Sequence, residues 1–126
     1  MAGVGFKALW RMALALPGVC EGTSYGTPAF KVGGKLLARV REDGESLAVM
    51  VTFEDREVLL EADPEAFFLT DHYRNYPIVL VRLSKVRAGP LRAVLGHAWR
   101  ARAPKRVQAA ARAAALRPAK RRGRPR

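Results

Sequence analysis

Phe30-Lys31-Val32-Gly33-Gly34-Lys35-Leu36-Leu37 reads as two short strands joined by a pair of glycines. A two-residue hairpin loop of the favoured hand needs positive φ at both central positions, and glycine adopts it without steric cost. Further on, Glu42-Asp43-Gly44-Glu45 marks a second turn, followed by the apolar run Leu47-Ala48-Val49-Met50-Val51. The spacing predicts a meander of three strands and two successive hairpins. Period-two alternation along the middle strand sends Lys35, Leu37, Arg39 and Arg41 to one face, and Leu36, Ala38 and Val40 to the other. One face would then carry three cations. The bland account of such a face is solvation; the functional one is contact with phosphates.

Helices flank the meander. Phe6, Leu9, Trp10, Ala13 and Leu14 recur at the spacing of one apolar helical stripe, and Pro17-Gly18 ends that helix. Thr52 is placed to cap a short helix, with Asp55 at the capping-box position and Asp63-Pro64 closing it. Phe67-Phe68-Leu69 is a brief apolar segment, and Ile78–Leu83 reads as a β-branched strand entered through Tyr76-Pro77. Gly89-Pro90 opens a last core helix with Leu91, Val94, Leu95, Ala98, Trp99 and Arg102 along one stripe. The predicted class is α+β: helix, antiparallel meander, short helix, one or two further strands, helix. Residues 105–117 are Ala-rich and helix-prone but nearly without large apolar anchors, and residues 118–126 have nothing to bury. The expected division is a domain over residues 1–107 and a basic tail over 108–126, helical and then disordered.

Charge is distributed unevenly over the 126 residues. Residues 1–71 hold 7 Lys/Arg and all 11 carboxylates, whereas residues 72–126 hold 16 Lys/Arg and no carboxylate. A half-chain this one-sided points to a polyanion. No apolar run approaches the ~20 residues of a membrane span, so a membrane partner is not expected. Lys7 and Arg11 interrupt what would be the core of a secretory signal, which makes the expected compartment the cytoplasm. Cys20 is the single cysteine, which excludes an internal disulfide and leaves it as a small buried hydrophobe. No nucleophile motif or metal-ligand spacing involves the two histidines, His72 and His97. The second reads as structural. The expectation is therefore a non-enzymatic protein without metal or cofactor.

Two local signals remain. Lys120-Arg121-Arg122-Gly123-Arg124-Pro125-Arg126 resembles an AT-hook: Arg122 and Arg124 would enter a narrow A/T minor groove that Gly123 lets the backbone approach. Lys120, Arg121 and Arg126 would meet phosphates. If all nine cations from Lys105 to Arg126 met phosphates, the log–log salt slope would approach about −8. Because Arg outnumbers Lys 17 to 6, a GC-biased composition is the competing account of the tail. The loop Asp71-His72-Tyr73-Arg74-Asn75-Tyr76-Pro77 combines residues suited to stacking bases and holding phosphates, or simply forms a turn whose tyrosines pack on the domain.

The segments Leu14-Ala15-Leu16-Pro17-Gly18, Ser24 to Lys35, His72-Tyr73-Arg74-Asn75-Tyr76-Pro77 and Ala98-Trp99-Arg100 with Ala103-Pro104-Lys105-Arg106 together resemble the MmcQ/YjbR family. The likeness spans residues of about 5–107. It implies a CyaY-like or secretion-chaperone-like α+β domain and a DNA-binding "double wing", for which the two hairpins would serve. Ile78 departs from the Trp that often follows Tyr-Pro in that family. The expected function is DNA binding, mainly through the phosphate backbone with A/T minor-groove contact by the tail. The expected DNA contacts are Lys31, Lys35, Arg39, Arg41, His72, Tyr73, Arg74, Lys105, Arg106, Lys120, Arg121, Arg122, Gly123, Arg124 and Arg126. A contiguous basic face joining Lys31, Lys35, Arg39, Arg41 and Arg74 to the last helix would favour this. The rival is a protein-interaction or chaperone-like module with an incidental tail. RNA suits the tail's charge, but no ribonucleoprotein-type aromatic motif is present. The last alternative, an enzyme acting on a small anionic substrate, would need a pocket joining Tyr25, His72, Tyr73 and Arg74. DNA binding in the cell would make the location the nucleoid, and oligomeric state is left open.

Overall fold

A computed structural model describes residues 3–116. The elements in chain order are α1 (Phe6–Leu14), β1 (Val19–Ser24), β2 (Thr27–Val32), β3 (Lys35–Val40), β4 (Ser46–Met50), α2 (Phe53–Ala62), β5 (Phe67–Phe68), β6 (Ile78–Arg82), α3 (Ala88–Arg102) and α4 (Lys105–Ala115). All strands run antiparallel in one six-stranded sheet of order β1-β2-β3-β4-β6-β5. The fold is α+β.

The Gly33-Gly34 hairpin forms with φ of 59° and 79° at the two glycines. Tyr25 and Gly26 make a second turn of the same kind, with φ of 53° and 80°. This adds β1, so the meander has four strands where the sequence predicts three. Val19-Cys20-Glu21-Gly22-Thr23-Ser24 lacks apolar alternation because β1 is an edge strand paired only with β2. Cys20 is exposed on that edge rather than buried, since it pairs with Lys31 and so points to the face opposite the one where Val19 packs on the core.

One irregularity reorganises the sheet. Phe30 faces Ala38 and Lys31 faces Leu36, which leaves Leu37 as an extra residue on β3. A bulge of this kind resets the inside–outside alternation. Leu37, Ala38 and Val40 therefore all enter the helix-covered core. Lys35, paired with Val32, lies on the helix side, while Arg39 and Arg41 lie on the other. The single face carrying Lys35, Leu37, Arg39 and Arg41 does not form.

The main core lies between the sheet and helices α1 and α3. Phe30 is fully buried and meets Trp10 edge-on at 5.0 Å, a favoured aromatic geometry. From α3, Leu91, Val94, Leu95 and Ala98 are buried as the helical spacing predicts. Trp99 packs at the margin and its indole N–H donates to the Pro17 carbonyl at 2.7 Å. His97 is exposed and stands 3.1 Å from Arg100, on the solvent side of α3 rather than in the core. Thr52 caps α2 by accepting from the Asp55 N–H at 3.0 Å. Helix α4 buries no residue completely. It rests on the domain through Val107 beside Gly18 and through Pro104 over Gly33.

Candidate functional site

The face of the sheet away from α1 and α3 carries a second, smaller cluster of Ala48, Tyr73 and Leu80. The segment 70–77 crosses it, and Asp71–Tyr73 forms a single 3-10 turn there. Arg56, on α2, fixes this segment. Its Nη1 donates to the carbonyls of Tyr73, Arg74 and Tyr76 at 3.4, 3.1 and 2.8 Å. Its side chain is 8% exposed, with Nε 3.5 Å from Glu57 Oε2, so the cost of burying the charge is offset by carbonyl oxygens at Nη1 and a carboxylate beside Nε. Sequence reasoning does not single out Arg56, because among Glu54, Asp55 and Glu57 it reads as one member of a solvated charged helix.

Tyr73 is buried under the turn, and its hydroxyl accepts from Arg39 Nη2 at 3.0 Å. Arg39 Nη1 donates to Thr27 Oγ1 at 3.1 Å and to Glu42 Oε2 at 3.3 Å. Burial disfavours the charged form of Arg39, but the Tyr73 and Glu42 contacts outweigh it and raise its affinity for the proton. Glu42 is held below its usual range by a backbone N–H and then by Arg39. A cleft of about 520 Å³ opens beside this network, lined by Tyr25, Leu36, Arg39, Met50, His72 and Tyr76 among others. That volume lies within the range of small-ligand sites.

The predicted contacts divide into three groups. Arg39, His72 and Tyr73 meet at the cleft, and Arg41 stands over the Tyr73 ring at 5.7 Å. The cations here are paired: Arg39 with Glu42, Arg41 with Asp43 at 3.6 Å, and Arg74 with Asp71 at 2.6 Å. Lys31 shares the open face, with its stem against Gly22. Lys35, Lys105 and Arg106 form a second group on the helix side, brought together where Pro104 sits on the Gly33 turn. Lys120, Arg121, Arg122, Gly123, Arg124 and Arg126 lie outside the described residues. The contiguous basic face from Lys31 through Arg39, Arg41 and Arg74 to the last helix does not form, because carboxylates neutralise its middle.

The longest run of unpaired cations among the described residues lies elsewhere. Helices α3 and α4 carry Arg92, Arg100, Arg102, Lys105, Arg106 and Arg112 with no carboxylate. Among the described residues none of these six takes part in an ion pair. Arg102 also ties α3 to the sheet, its Nε donating to the Leu36 carbonyl at 3.2 Å. No group of three or more His, Cys, Asp or Glu among the described residues is placed to hold a metal ion. No helix among them is long and apolar enough to cross a membrane.

Asp43 organises the turn between β3 and β4. Its Oδ1 accepts from the N–H groups of Glu45 and Ser46 at 2.8 and 2.9 Å, and its Oδ2 from the Ser46 hydroxyl at 2.8 Å. Burial raises its proton affinity, but these donors together with Arg41 prevail and hold it below the ordinary carboxylate range. A depressed folded value stabilises the protein above the unfolded value of about 4, and that contribution disappears as pH falls through the folded value. The urea midpoint of the wild type is therefore expected to exceed that of Asp43→Asn at neutral pH. The two should converge in acid; a gap independent of pH would refute this role for the carboxylate.

A family model described as YjbR matches residues 14–101. Uncharacterized proteins of Mycobacterium tuberculosis and Mycobacterium bovis are 37% identical over 65 residues, 51% of this chain and 50% of theirs. The alignment thus spans about half the length of these curated relatives. The crystal structure of a Deinococcus radiodurans protein with the DUF419 domain superposes with a TM-score of 0.60 and 26% identity, covering 72% of each chain. The family match runs through the meander and into α3, and the chain belongs to the YjbR family.

Proposed function

We propose that the protein is a non-enzymatic DNA-binding protein whose affinity comes from phosphate contacts along α3, α4 and the basic residues that follow. The observation carrying this reading is the carboxylate-free helix pair, with six cations and no ion pair among the described residues. Lys35 adds to it at the Gly33 turn. Affinity of this origin is strongly salt-dependent and weakly sequence-specific. On the sheet face Arg39, Arg41 and Arg74 are paired with carboxylates and contribute little. In this reading Arg122 and Arg124 supply any A/T preference through the minor groove.

A labelled A/T-rich duplex titrated over a range of salt tests the reading. A log–log slope of about −4 is expected, with roughly four or five of the cations on α3, α4 and the residues that follow engaged at once. Replacing Lys105 and Arg106 together with alanine should lower the slope by about 2. Replacing Arg39 should leave it unchanged. Salt-independent binding, or none at low salt, sinks the proposal. A chain ending at Leu116 that binds as tightly as the full chain removes the tail's part alone.

A protein-interaction module is the second reading. It is favoured by an open apolar cleft of about 640 Å³ where Phe6 and Trp10 of α1 face Pro28 and Val40. A minor-groove ligand competing for A/T duplex should displace a DNA-binding tail and leave a protein partner in place.

A further inference from the structure

The geometry points to a second site, independent of the basic helices: the sheet-face cleft as a pocket for a flat aromatic ring that carries a carboxylate or phosphate. Its floor is apolar sheet, from Leu36, Met50 and Ile78. Tyr25, His72 and Tyr76 stand around the rim, with Tyr25 85% and Tyr76 53% exposed. Exposed aromatic faces above an apolar floor bind planar rings by stacking. At the base lies Arg39. It donates three N–H groups to Thr27, Glu42 and Tyr73, leaving two of a guanidinium's five without a partner among the described residues.

Two features argue that the pocket serves a ligand and not packing alone. Tyr25 holds φ of 53°, a conformation that asparagine or glycine would occupy with less strain. The strained backbone sets the tyrosine ring 5.3 Å from the Arg39 guanidinium, where it forms a wall. Glu42, whose side chain is 66% exposed, reaches Arg39 at 3.3 Å from the mouth. It occupies the place of an anion, on a flexible arm that an incoming ligand group displaces.

Thymidine 5′-monophosphate, thymidine, inorganic phosphate and a single-stranded thymidine octanucleotide, titrated calorimetrically into the full chain, test the site. Tyr25→Asn keeps the turn and removes the wall, so affinity for the ring-bearing anion should fall about tenfold. Glu42→Gln removes the competing charge and should raise it. Thymidine and inorganic phosphate should each bind much more weakly than the monophosphate. If the mononucleotide shows the opposed effects of the two substitutions, the ligand is a free small molecule. If only the oligonucleotide shows them, the ring and phosphate come from a nucleic-acid strand; either result upholds the pocket. The idea is overturned if neither substitution moves any affinity in its stated direction, or if thymidine binds as well as its monophosphate. Failure here leaves the salt-dependent duplex binding untouched, because neither residue lies on α3 or α4.

Discussion

Gly33→Ala is expected to reduce the unfolding free energy by about 3 kcal/mol and the melting temperature by roughly 10–15 °C. Two penalties combine. A methyl group at φ of 59° meets its own carbonyl, which costs about 1–2 kcal/mol. That methyl would also overlap Cγ and Cδ of Pro104, the residue that turns the chain from α3 into α4. The neighbouring Gly34 separates the two effects, having φ of 79° with nothing near its missing side chain. Gly34→Ala should therefore show only the conformational part, about 1–2 kcal/mol. Adding Pro104→Ala to Gly33→Ala should recover part of the difference. Equal losses for the two glycine variants in urea titrations would exclude a steric role for Pro104.

Arg56→Met is the second large effect, a loss of about 3–4 kcal/mol. Methionine fills much of the same volume, so the loss measures the charged donor taken from the carbonyls of residues 73, 74 and 76, the first and last of which keep a backbone N–H. Hydrogen bonds to a charged group are worth about 1.5–3 kcal/mol each when taken alone, and one nitrogen shared among three acceptors yields less than their sum. With the segment released, the Tyr73 hydroxyl should leave Arg39, and a protease should cut within residues 70–77 far faster than in the wild type. Arg56→Lys should recover less than half of the stability, because an ammonium lacks the planar fork that spreads over several carbonyls. An unchanged urea midpoint for Arg56→Met would show that the segment is held by Tyr73 packing alone.

Much of the fold is legible in the residues. Gly33-Gly34, the Thr52 cap and the Leu91–Ala98 stripe each follow from one local physical rule, and each forms as that rule requires. The candidate site is less legible because it depends on relations between distant positions. Nothing in Lys35-Leu36-Leu37-Ala38-Arg39 announces that Leu37 is the bulged residue; that is settled by Phe30 and Lys31 across the strand pair. A one-residue slip moves every later side chain to the opposite face, and it separates Lys35 from Arg39. Arg56 is hidden for a similar reason, since among its acidic neighbours it looks like surface charge. Tyr25 can be named from the sequence as a pocket residue, but its strained φ and its place over Arg39 are tertiary facts.

Helix α4, which buries none of its residues completely, has a thermodynamic consequence. An element held by Val107, Pro104 and the Gln108 amide on the Ala103 carbonyl opens locally at a small fraction of the free energy of global unfolding. Its amide protons should exchange with solvent long before those of β3 and β4. A polyanion that binds α4 only when it is formed would slow that exchange and, because global unfolding also opens α4, would raise the melting temperature by mass action as well. Amide exchange would add where along the chain the ligand sits, which a thermal shift does not report.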